Sequence, residues 1–192
     1  MVSKKINIFF LVSFILIGNC LFASQPVAKP KLNYLDSLKV MAFINLGFKN
    51  ASDFPIKGDA CANLAYYYAH AANWKKGEAE ALILKAKVFD FWGKYQEAIP
   101  IDLLALKLSC ELKDSILMAR SFRQIASMYG NFGATDKDIL LLEASVEISR
   151  KINYTKGLGS ALTDLAAVYF ANANYSKAII LIKESILLKT AI

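Results

Sequence analysis

His70 is the only imidazole in the chain, so a Ser–His–Asp relay or a His-containing metal cage would have to be built around it. It lies in the run Tyr66-Tyr67-Tyr68-Ala69-His70, where no neighbouring pattern supports either chemistry, and it reads as a surface or half-buried helix residue. Cys20, Cys61 and Cys110 show no zinc spacing. Gly157-Leu158-Gly159-Ser160 is too short a match for a phosphate loop. There is no nucleophile elbow and no His-Glu pair for a metalloprotease. Asn50-Ala51-Ser52, Asn153-Tyr154-Thr155 and Asn174-Tyr175-Ser176 match the glycosylation sequon, and nothing is read from them. The expectation is a protein that is not an enzyme and that needs no cofactor and no metal.

The elements that would position any site repeat at a fixed interval. Ala86, Ala126 and Ala166 are 40 residues apart. Three residues after each comes an aromatic (Phe89, Tyr129, Tyr169), and four before each a large apolar residue (Leu82, Phe122, Leu162). Downstream columns keep the interval: Ile99, Ile139 and Ile179, then Leu106, Val146 and Ile186. Such a period means stacked supersecondary units with a continuous core. Apolar residues at helical spacing predict helices near 35–49, 57–72, 77–92, 95–111, 115–132, 135–151, 155–172 and 175–190. Gly93-Lys94, Gly133-Ala134-Thr135-Asp136 and Asn153-Tyr154 punctuate them, and no stretch alternates with period two. Helices joined by such short breaks must run antiparallel. Small Ala86 and Ala98 beside large Leu82 and Phe89 suit close helix packing. Pro100 predicts a local kink or a slightly later start for its helix.

Before the repeats come Lys4, Lys5 and the apolar run 6–17, then Ala23, Ser24 and Pro26. This reads as a signal peptide over 1–23, followed by a linker over 24–33 and a repeat domain over 34–192. Lipidation at Cys20, or retention of the segment as an anchor, are the alternatives. All three readings export the repeats, to the periplasm or cell surface. Two units of the net charge of +7 sit in this leader, and the rest scatter along helices without forming a basic run. Nucleic acid is therefore not the expected partner. In an oxidising compartment Cys61 and Cys110 could pair, although two buried free thiols is the simpler reading.

The array resembles tetratricopeptide repeats. The last copy has Leu162, Leu165-Ala166, Tyr169, Tyr175 and Ala178, and the first clear copy Leu82, Ala86, Phe89, Gly93, Tyr95 and Ala98. The middle copy keeps Phe122, Ile125-Ala126, Tyr129 and Gly133 but has Thr135 and Asp138 where Tyr and Ala are usual. The family's late Pro is replaced by Cys110, Arg150 and Thr190, and the period resembles a longer variant found in sensory regions of bacterial signalling proteins. Leu46, Ala65 and Tyr66 fit a degenerate first unit. The resemblance implies an all-α, right-handed superhelical solenoid of about four antiparallel helix pairs, near 35–72, 77–111, 115–151 and 155–190.

It also implies that the first helix of each pair lines a concave groove. The matching positions include Lys87, Asp90, Arg120, Arg123, Gln124, Ser127, Thr163, Asp164 and Phe170, with Asn131 adjacent. Lys87, Arg120 and Arg123 would form a basic patch for a carboxylate or an acidic peptide. The implied function is a non-enzymatic module that binds a protein or peptide partner. The alternative is the sensory N-terminal part of a larger signalling protein, either a histidine kinase or a helix-turn-helix regulator. The last helix presents Ile179, Ile182 and Ile186, which suggests self-association or a downstream domain.

Overall fold

The computed structural model describes residues 34–131 and 135–190. The expected leader and linker and part of the 133–136 break lie outside them. The described chain forms eight helices: α1 (Tyr34–Asn50), α2 (Pro55–Ala71), α3 (Lys75–Phe91), α4 (Tyr95–Glu111), α5 (Ser115–Asn131), α6 (Thr135–Lys151), α7 (Thr155–Ala171) and α8 (Tyr175–Thr190). Among the described residues there is no strand.

Five of the connections have three residues, and the middle one takes a positive φ: Asn73, Gly93, Lys113, Asn153 and Ala173. In each, the following N–H reaches back over the helix end, as Trp74 does to Ala69 (2.8 Å) and Asn174 to Tyr169 (2.8 Å). These are Schellman-type closures, which satisfy carbonyls that a helix end leaves open. Gly93 and the asparagines adopt this backbone at little cost, whereas Lys113 and Ala173 carry a side-chain penalty. Repeating one tight turn fixes the antiparallel pairs.

Each helix packs on its sequence neighbours. The first helices of successive pairs also pack together, α1 on α3, α3 on α5 and α5 on α7, whereas the backbones of α2, α4, α6 and α8 stay apart from one another. α6 and α8 reach each other through side chains, with Arg150 Nη2 2.6 Å from Glu184 Oε1. An inner row in contact and an outer row splayed apart give a curved solenoid of four helix pairs.

The small-residue column makes the close approach possible. Ala86 and Ala126 are wholly buried and Ala166 nearly so. Ala98 and Ala178 are the buried small residues of the outer row, and Asp138, also buried, takes the place between them. Leu82 and Leu162 fill the core, while Phe122, Phe89, Tyr129 and Tyr169 are half-buried.

Three expectations need correction. The first unit is shifted by one residue. Leu46, expected in the small column, is 50% exposed. Val40, Ile44 and Gly47 form the buried stripe of α1, continued by Ala51 just past its end, and correspond to Ala79, Ile83, Ala86 and Asp90 of α3. A Cβ on Gly47 would sit 2.3 Å from Leu84 Cδ2 and 3.1 Å from Cys61 Cβ, so the column is Gly47, Ala86, Ala126, Ala166. The first interval is thus 39, because α1 ends sooner after this column than α3 does and only partly recovers the difference in a longer connection, 51–54. Second, α4 starts at Tyr95 despite Pro100, with Ala98 N bonded to Lys94 O at 2.9 Å. The exposed ring is accommodated inside the helix without delaying its start. Third, both cysteines are free, but only Cys61 is buried; Cys110 faces solvent. Burial raises the Cys61 thiol pKa and keeps it protonated.

The concave groove as candidate site

Four residues of one column, Met41, Glu80, Arg120 and Ser160, come from α1, α3, α5 and α7 in turn and line one cavity of about 540 Å³. Phe48 and Arg123 join them from the inner row, and Ser145 and Ser149 from α6. Lys156 and Tyr154 close the α7 side.

The basic residues of this groove differ in how committed they are. Lys87 is held by Asp90, Nζ to Oδ2 at 2.8 Å, and lies over the Phe91 ring. Asn131 donates to the other Asp90 oxygen at 3.4 Å, so the buried Asp90 is used inside the protein. Arg123 reaches Asp164 across the next joint, Nη1 to Oδ2 at 2.9 Å, with both side chains about one-third exposed. Arg120 makes no ion pair among the described residues; its guanidinium lies 5.5 Å from the centre of the Phe48 ring. That cation–π contact positions the guanidinium without using its N–H groups as hydrogen-bond donors. The wholly buried Ser149 hydroxyl lines the same cavity without a hydrogen-bond partner.

The remaining candidates divide. Gln124 is buried, and its amide donates to the Ile83 carbonyl, so it belongs to a joint between repeats. Ser127, Asn131 and Asp164 line a second cavity of about 330 Å³ beside the buried Asp138. Thr163 donates to the Gly159 carbonyl and receives Lys189 Nζ at 2.8 Å, tying α7 to α8. Phe170 is 64% exposed and meets the Tyr175 ring edge-on at 5.3 Å, away from the large cavity. His70 is at the surface, with Nδ1 3.2 Å from a Glu78 oxygen. Among the described residues no group of three or more His, Cys, Asp or Glu is placed to hold a metal ion.

The sequence reading missed Met41, Phe48 and Lys156. The first two were hidden by the one-residue slip of the first unit. Counted from Gly47, Phe48 falls in the column of Lys87, Ser127 and Ala167, and Met41 in that of Glu80 and Arg120. Lys156 lies in the first turn of α7, ahead of the positions that the repeat pattern marks.

These features define a helical-repeat solenoid with a polar, partly basic inner groove. Two solved structures share the fold. The apo form of RapI superposes with a TM-score of 0.65 at 19% identity, covering 80% of this chain and 43% of that one. BtubC (BKLC) from P. vanneervenii gives a TM-score of 0.65 at 17% identity, covering 95% of this chain and 74% of that one. The chain thus spans less than half the length of RapI. Neither a protein-family model nor a curated protein sequence matches it.

Proposed function

We propose that this chain is an exported, non-enzymatic interaction module of the tetratricopeptide type, which holds an acidic peptide or an acidic segment of a partner protein in its concave groove. The observation that carries this reading is Arg120. It lies over the Phe48 ring, makes no ion pair among the described residues, and lines a cavity that also receives Lys156 and Arg123 as well as Glu80. A guanidinium fixed in this way is suited to two parallel hydrogen bonds to a carboxylate. The cavity spans four repeats, which suits an extended segment better than a compact small molecule. The apolar run behind Lys4 and Lys5 supports export.

The test uses fluorescently labelled peptides of equal length, one Glu-rich, one neutral and one Lys-rich. The Glu-rich peptide should bind best and weaken with salt. Arg120→Glu should lower its affinity at least about tenfold, since a charge-assisted contact becomes a repulsion. Equal binding of the three peptides, or an unchanged affinity in the variant, would remove this reading.

A further inference from the structure

The two ends of the repeat array carry apolar helix faces that the interior repeats keep covered. On α8, Ile179, Ile182 and Ile186 share one face. The same columns in α6 are Ile139, Leu142 and Val146, and Leu142 and Val146 are buried in one cluster with Leu158, Leu162 and Leu165 of α7. In α4, Ile99 and Leu106 pack in a cluster with Ile125 and Tyr129 of α5. This is therefore the face that an outer helix presents to the next pair. On α8 it is open: Ile179 is 51% and Ile186 53% exposed.

α1 holds the other half of that joint. By the offset that aligns Gly47 with Ala86, Ala42 falls in the column of Ala81, Ser121 and Ala161, and Leu46 in that of Lys85, Ile125 and Leu165. The members on α5 and α7 are buried against the preceding pair, with Ile125 at 1% and Leu165 at 4% exposure, whereas Lys85 on α3 reaches Asn63 of its own preceding helix. Leu46 is 50% exposed and Leu38, on the same face, 46%. The chain thus displays both complementary surfaces of a contact it already makes within itself, one at each end.

We propose that copies of this chain join head to tail, with the Ile179–Ile186 face of one seated on the Leu38–Leu46 face of the next. The occupant is a second copy because α1 supplies, column for column, the residue types that α5 and α7 use: an aliphatic residue at Leu46, a small one at Ala42. Such a contact uses two different surfaces, so each copy added leaves one of each free for the next, and association propagates beyond the dimer into a string, or a ring where the rotation closes. It also gives the end helices the cover that terminal repeats otherwise obtain from polar capping.

Sedimentation velocity on the full chain tests this. The wild-type protein should show species rising with concentration in steps of its 21.3 kDa mass. Leu46→Glu and Ile186→Glu should each remain monomeric. An equimolar mixture of the two should form one-to-one dimers and nothing larger, because only one intact head and one intact tail remain. Leu38→Glu and Ile179→Glu provide a second pair, and far-UV circular dichroism checks that each variant keeps its helices. A wild-type chain that stays monomeric overturns the proposal. So does association that persists in both single variants, which would place the contact elsewhere. Self-association of Leu46→Glu but not of Ile186→Glu would mean tail-to-tail pairing and would also overturn it.

Discussion

Gln124 donates its side-chain amide to the backbone carbonyl of Ile83 at 2.9 Å, joining two inner helices across 41 positions. The same offset links Arg123 to Asp164 and Asn131 to Asp90. The inner row is thus bound together by polar side chains one residue out of step with the apolar repeat. Gln124 is 6% exposed, so its donors have little access to water. Gln124→Ala should cost about 1–2 kcal/mol, the range for losing a buried hydrogen bond together with some packing. Urea unfolding of the two proteins measures this, and an unchanged midpoint would show that the bond contributes nothing.

The Arg123–Asp164 pair makes an instructive contrast. It is weaker than its formal charges suggest, because both side chains are about one-third exposed and solvent screens their attraction. Arg123→Ala should therefore cost under about 1 kcal/mol, less than Gln124→Ala despite the loss of an ion pair. A larger loss for the arginine in the same urea series would reverse this ranking.

Much of the fold could be read from the chain because helical packing repeats its demands. Ala86, Ala126 and Ala166 each meet the same close approach, so their interval exposes the architecture directly. The turns were legible where Gly93 and Asn153 adopt positive φ; Lys113 and Ala173 adopt it too, but their residue types give no warning. Gly47 was not legible in its role, since a glycine in an apolar run looks the same whether or not Leu84 lies against it. The groove was harder still. Whether Lys87, Arg120 or Arg123 is available to a ligand depends on which carboxylate lies opposite, and those partners come from other helices or from another turn of the same one.

Asp114 illustrates a local signal with a pH consequence. Its Oδ1 accepts the Leu117 N–H at 3.1 Å, capping α5, and its Oδ2 pairs with Lys76 Nζ at 2.8 Å. Burial pushes its carboxyl up, but Lys76 and the backbone N–H groups of Leu117 and Ile116 outweigh this and hold its pKa below the ordinary value. The carboxylate therefore stabilises the fold above its unfolded pKa, and that stabilisation is lost as pH falls through the lower folded pKa. Asp114→Ala should cost about 1–2 kcal/mol at neutral pH. The gap between variant and wild type should narrow on acidification, and a gap independent of pH would show that the carboxylate's charge is irrelevant.

Asp102 works in the opposite direction. It lies on α4 with no exposed surface, and neither carboxyl oxygen has a hydrogen-bond partner. Burial pushes its pKa from 3.8 up to about 8; Ser121, Arg120, Gln124 and Lys87 oppose the shift only in part. Between these values the folded protein keeps the proton that the unfolded chain releases, so stability must fall as pH rises through that window. The contribution is complete below the unfolded pKa and gone above the folded one. Asp102→Asn has nearly the same shape and cannot ionise. The variant should therefore lose this pH dependence, gaining on the wild type steadily from pH 5 to about pH 8 and levelling off above that, as read from urea midpoints at each pH. The direction matters for the groove as well, because Arg120 is one of the charges that favour ionised Asp102. If the carboxyl ionises at high pH, Arg120 gains a competing anion inside the protein, and an acidic peptide should bind less tightly there in the wild type than in Asp102→Asn. Parallel stability profiles for the two proteins would mean that Asp102 titrates alike folded and unfolded, and would remove both expectations.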